Sequence, residues 1–139
     1  MSRRFIYNDG GREAAGYKGK TGDCGTRAIA IATGMPYQEV YDMVIAAAKL
    51  EKRRKPSHPR TGIWRETMDF MLDEKGWTWV PTMKFVEGCT THLKSEELPA
   101  GNIIVRLSRH YAAVIDGVLH DIIDSSRDGT RCVYGYWKR

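Results

Sequence analysis

The chain has no apolar run near the roughly 18–20 residues that cross a bilayer as a helix, so the sequence excludes a helical membrane span. Its start, MSRRFIYNDGG, is basic but carries no apolar segment behind the arginines, which is the wrong pattern for a secretory leader. Cysteine is scarce. Cys24, Cys89 and Cys132 are odd in number and widely spaced, which predicts free thiols rather than a disulfide framework. Free thiols without a leader point to the reducing cytoplasm. The glycines of NDGGREAAGYKGKTG fit neither the P-loop nor the dinucleotide spacing, so no nucleotide cofactor is expected. Metal ligands are thin as well. Cys89 and His92 make a two-ligand spacing, and His58, His110 and His120 are scattered. A structural zinc site takes four ligands, so no metal is expected.

What remains is the composition of an ordinary globular chain, and its 139 residues predict one domain spanning 1–139. The net charge of +5 is concentrated between Lys49 and Arg60. Two prolines and the lack of an apolar face make that segment a loop following a helix. Lys52, Arg53, Arg54 and Lys55 are the candidate contacts it offers to an acidic substrate or partner. No aromatic residues interleave with these charges and no nucleic-acid module is recognisable, so a nucleic-acid partner is the weaker reading.

The apolar spacing predicts a short strand at Arg4–Tyr7 and then a polar, Gly-rich loop from Asn8 to Gly22. Three helices follow: Cys24 to about Thr33, capped by Asp23 and stopped by Gly34; Pro36 to about Lys49; and about Gly62 to Glu74. Beyond Gly76 the pattern becomes strand-like, at Trp77–Pro81, Asn102–Leu107, Tyr111–Ile115, Val118–Ile123 and Cys132–Trp137. Helices first and strands afterwards predict an α+β fold, with a helix layer against an antiparallel sheet.

Two stretches carry chemistry. In TGDCGTRAIAIATG, Cys24 falls in the first turn of a helix, where the dipole favours a thiolate, and Gly25 is expected to leave space beside it. In SRHYAAVIDGVLHDIIDSS, Asp116-Gly117 is a two-residue hairpin signal that pairs Ile115 with Val118. That register puts Ala112 beside Asp121 and sets His110 on the diagonal from Asp121, on the same face. His120 and Asp124 fall on the other face, with Arg109. The hairpin therefore selects His110–Asp121 as the pair in which a carboxylate orients an imidazole. Facing Cys24, such a pair supplies an activated thiol nucleophile. Cys89 and Cys132 are expected to be structural, and the four tryptophans to be core or cleft wall.

A cysteine at a helix start after Gly-Asp, a later strand opening on histidine, and a carboxylate on the next strand resemble the papain-like cysteine peptidases. GDCGTRAIAIATGMPYQEVYD and HYAAVIDGVLHDIIDSS look similar to small papain-fold proteins of bacteria and phages, and more distantly to C39-like peptidases. The resemblance implies Cys24 as nucleophile, His110 as general base and acid, and Asp121 as the orienting residue. Papain-like enzymes usually carry a glutamine ahead of the cysteine to complete the oxyanion hole. Lys18 stands there in this chain, whose only glutamine is Gln38, leaving Asn8, Lys18 and Thr21 as the oxyanion candidates. The expected function is thiol-dependent hydrolysis of a peptide or peptide-like amide. Its alternatives are a Cys-dependent acyltransferase and a non-catalytic papain-fold module whose basic surface holds protein or nucleic acid.

Overall fold

Gly34 ends the first helix because it adopts a left-handed conformation (φ +78°) that a side chain resists, and its N–H closes on the Ala30 carbonyl. The computed structural model describes residues 5–19 and 21–139. In it, helix α1 (Cys24–Thr33) has the predicted bounds, α2 covers Tyr37–Ala48 behind Pro36, and α3 covers Arg65–Glu74. The strands are β1 (Phe5–Tyr7), β2 (Thr78–Pro81), β3 (Met83–Lys84), β4 (Gly88–Cys89), β5 (Asn102–Leu107), β6 (His110–Ile115), β7 (Val118–Asp121) and β8 (Gly135–Lys138). Six of them form one sheet in the order β1-β7-β6-β5-β8-β2, and β3 and β4 form a separate small hairpin. Arg4, expected to open the first strand, lies outside the described residues.

Both faces of the sheet are covered. On one, α1 lays Ala28, Ile29 and Ala32 over Ile104, Ala113 and Trp137, with Val44 of α2 and Met68 and Leu72 of α3 filling the layer behind. Short alanine side chains bring the helix axis close to the strands, which sets Cys24 at the end of the sheet where β6 begins. On the other face, Ile103, Val105 and Leu107 of β5 alternate with the first set and pack with Val114, Leu119 and Val133.

Four expectations are corrected. The sheet is mostly antiparallel, but β1 pairs with β7 in parallel, because the chain returns to that edge only after the whole helical half. Helix α3 starts at Arg65 rather than Gly62. Residues 58–62 close a loop in which His58 and Gly62 exchange backbone hydrogen bonds of 2.9 and 3.1 Å, leaving Ile63 buried ahead of the helix. Arg109 is not on a strand face. It sits at φ +55° in the tight turn between β5 and β6, where Leu107 pairs with His110. Finally, Cys89 and Cys132 form a disulfide, and Cys24 is the free cysteine. The partners of that bond are 43 residues apart, brought together where the β3–β4 hairpin lies against the segment entering β8. The argument from three free thiols to a reducing compartment therefore falls away. No helix is long and apolar enough to cross a membrane among the described residues.

Candidate active site

The Gly-Asp-Cys-Gly sequence is built for close approach on both sides. A Cβ on Gly22 would lie 3.2 Å from the Thr61 carbonyl oxygen, and one on Gly25 would lie 2.9 Å from Ile63 Cδ1 and 3.4 Å from the Tyr111 ring. Gly25 thus admits Ile63 against the helix start, in place of the open space expected beside the thiol. The loop that carries Ile63 is held there by Thr26 Oγ1, which donates to the Pro59 carbonyl at 2.7 Å, and by the Tyr111 hydroxyl, which donates to the Ile63 carbonyl at 3.2 Å. Asp23 occupies the N-cap position but does not cap with its side chain. Its fully buried carboxylate instead accepts Arg27 Nε at 3.0 Å, Arg12 Nη1 at 3.2 Å and the Tyr37 hydroxyl at 2.8 Å.

The predicted hairpin register is present: Ile115 pairs with Val118, Val114 with Leu119 and Ala113 with His120. Asp116 (φ +48°) and Gly117 (φ +80°) make the turn, as two left-handed residues do in a tight hairpin. The diagonal neighbours then meet, with His110 Nε2 2.7 Å from Asp121 Oδ2. Asp121 is 1% exposed and fully occupied. Its Oδ2 also accepts the Ser125 hydroxyl at 3.0 Å, and its Oδ1 accepts Arg27 Nη1 at 2.6 Å and the Ile122 N–H at 2.8 Å.

The His110 ring and the half-buried Cys24 thiol line the same cleft and are close enough for each to shift the pKa of the other. Burial pushes the Cys24 pKa up. The hydrogen bond and charge of His110 outweigh it, with help from the Tyr111 backbone and the charge of Arg27, and hold it below the ordinary thiol value. Burial acts on His110 in the opposite sense, but its bonds to Asp121 and Cys24 raise its pKa from 6.5 to about 9. Asp121 is held below the usual carboxylate range: burial raises it, and His110, the Ile122 N–H and Arg27 more than offset that. A thiol pKa held down and an imidazole pKa held up both favour the charged thiolate–imidazolium form of the pair over the neutral one.

Cys24 and His110 line an open cleft of about 460 Å³, together with Gly22, Thr61, Arg106 and Arg109. That volume suits a short stretch of substrate. Of the oxyanion candidates, none lines it. Asn8 continues β1, where its Oδ1 accepts the Gly10 N–H and its Nδ2 meets His120 Nδ1 at 3.2 Å on the far side of the hairpin. Lys18 is exposed, and its carbonyl accepts Arg60. The Thr21 hydroxyl is enclosed with no hydrogen-bond partner among the described residues. The basic segment lies nearby. Arg53 stacks on Trp64 at 4.3 Å and pairs with Glu66 at 2.9 Å, and Lys55 lines a groove that shares Thr61, Gly62 and Ile63 with the cleft. Lys52 and Arg54 point to solvent.

Arg27 escaped the sequence reading. Its signal was there: an arginine in the otherwise apolar run CGTRAIAIAT, four residues after Asp23. Only 4% exposed, it bridges Asp23 at the helix start to Asp121 at the end of β7 and so fixes one half of the site to the other. Compared with protein-family models, with curated proteins and with solved structures, the chain matches none.

Proposed function

We propose that the chain is a papain-like thiol hydrolase that cleaves a peptide or peptide-like amide through an acyl-enzyme on Cys24. The observation that carries the reading is that Cys24 shares a cleft with His110, whose ring is held 2.7 Å from the buried Asp121 carboxylate. In the first half-reaction the Cys24 thiolate adds to the amide carbonyl carbon, forming a C–S bond and moving the carbonyl electron pair onto oxygen. The first-turn N–H groups of α1, which have no helical acceptor, offer hydrogen bonds to that oxygen. The tetrahedral adduct collapses, the C–N bond breaks, and the His110 imidazolium gives its proton to the leaving nitrogen. In the second half-reaction neutral His110 takes a proton from water as the water oxygen adds to the thioester. The C–S bond then breaks, releasing the carboxylic acid and regenerating the thiolate–imidazolium pair. Asp121 keeps the ring oriented and stabilises its charge throughout. Arg27, which touches Asp121 but not Cys24's cleft, is a positioning residue.

The test is acylation by p-nitrophenyl acetate. The reading expects a rapid burst of one nitrophenolate per chain, with the acetyl group found on the Cys24 peptide. The burst disappears in Cys24→Ser and slows in His110→Ala. No burst, or acetyl spread over lysines with Cys24 unmodified, contradicts it.

A further inference from the structure

The residues around Cys24 and His110 are asymmetric in charge. Arg106 and Arg109 line the cleft, and no Asp or Glu lines it among the described residues. Neither arginine forms a salt bridge among the described residues. The carboxylates beside the nucleophile and its histidine are buried and already occupied: Asp121 by His110, Arg27, Ser125 and the Ile122 N–H, and Asp23 by Arg12, Arg27 and Tyr37. Arg106 is packed in place, and Arg109 is exposed at the turn, where its backbone is fixed. Arg106 is half-buried on β5 and lies over the Tyr134 ring at 5.7 Å. Arg109 is set by the left-handed turn residue geometry that immediately precedes His110.

A third guanidinium builds this turn without neutralising it. Arg131 donates to the Ser108 carbonyl at 2.7 Å and to the Ser125 carbonyl at 3.3 Å, and its enclosed Nε has no partner among the described residues. Burial first, and then the charge of Arg127, push the Arg131 pKa down, against the opposing charges of Asp121, Tyr134 and Cys24. Arginines spend their charge on carboxylates where these are available. Here they are presented, unspent, beside the nucleophile.

Resting on the hydrolase reading above, we infer that Arg106 and Arg109 form an anion subsite for a substrate carboxylate on the leaving-group side of the scissile amide. The side follows from the chemistry: His110 hands its proton to the leaving nitrogen, and Arg109 is the residue next to His110. The substrate class is then a peptide with an acidic residue, or a free C-terminal carboxylate, just beyond the bond that is cut.

The experiment compares two alkylating agents of nearly the same size, iodoacetate (anionic) and iodoacetamide (neutral), at Cys24. The quantity read is the ratio of their rates, normalised to the ratio for free cysteine. Two unit charges about 7 Å apart at an effective dielectric of roughly 40–80 give a factor of about three to seven per arginine. The ratio therefore falls by about that factor in Arg106→Gln and in Arg109→Gln, further in the double variant, and towards one in high salt. Arg106→Lys, which keeps the charge, keeps most of the ratio. An unchanged ratio in the double variant overturns the inference. If Cys24 reacts with neither reagent, the hydrolase reading itself falls; if it reacts with both at an unshifted ratio, only the subsite does.

The second arm asks which probe shields Cys24 from iodoacetamide. The probes are four peptides of one short sequence, with Glu or Gln at the centre and a free or amidated C-terminus, and a thymidine oligonucleotide. Shielding by the Glu peptides assigns the carboxylate to a side chain. Shielding by the free-terminus peptides assigns it to the chain end. Either supports the inference. Equal shielding by the neutral amidated Gln peptide, or shielding by the oligonucleotide alone, overturns it.

Discussion

Replacing Arg27 by methionine removes the cation shared by two enclosed carboxylates. Arg27 is 4% exposed, and Asp23 and Asp121 are 0% and 1% exposed. Methionine fills much of the volume of the arginine stem, so the change is mainly one of charge and hydrogen bonding. Deleting one partner of a buried ion pair costs about 3–5 kcal/mol. Asp23 keeps Arg12 and Tyr37, and Asp121 keeps His110, Ser125 and the Ile122 N–H. The lower end, about 3 kcal/mol, is therefore expected. In urea at pH 7, with a slope of about 1.5–2 kcal/mol/M, the midpoint falls by about 1.5–2 M and the slope is unchanged. The pH dependence separates charge from packing. In the native protein both carboxylates titrate below the usual range, so their contribution is present above that range and is lost as pH falls through their folded values. Without Arg27 their pKa values rise, and protonation relieves the unpaired charge earlier. The gap between variant and native protein therefore narrows from pH 7 to pH 4. A loss under about 1 kcal/mol, or one equal at both pH values, refutes the bridging role.

Two further outcomes follow from the site. Asp121→Asn removes the charge that supports imidazolium, so the NMR titration midpoint of His110 falls from about 9 by at least about one unit; an unmoved midpoint means that Asp121 does not tune it. Gly25→Ala drives a methyl group to within 2.9 Å of Ile63 Cδ1. An overpacking cost of about 1–3 kcal/mol, less about 1 kcal/mol of helix propensity, leaves a net loss of up to about 2 kcal/mol. The further contacts at 3.4 Å with Ile63 Cγ1 and the Tyr111 ring place it towards the upper end, which urea unfolding detects. Ile63→Val, which deletes that Cδ1, restores stability in the double variant, and simple additivity of the two losses contradicts the contact.

Much of the site was legible because its two halves are locally encoded. A two-residue Asp-Gly turn sets its register by itself, and register alone brings His110 to Asp121. Gly34 and the alanine-rich run likewise define α1, and with it the position of Cys24 at a helix start. What was hidden depends on distant partners. The start of α3 moved because Ile63 is spent against Gly25, a contact that helical periodicity does not encode. The Cys89–Cys132 bond and the parallel pairing of β1 with β7 join segments whose proximity is a property of the whole topology. The bridging role of Arg27 was hidden because only Asp23 is its neighbour in the sequence, and Asp121 reaches it only when β7 is docked.

The most direct test of the central claim is the rate of Cys24 alkylation by iodoacetamide as a function of pH, in the native protein and in His110→Ala. The account predicts fast reaction well below pH 8 in the native protein, because His110 holds the Cys24 pKa below the ordinary thiol value. In His110→Ala the titration moves up towards the free-thiol value of about 8.5. An inert Cys24, or one that titrates near that value whether or not His110 is present, contradicts it.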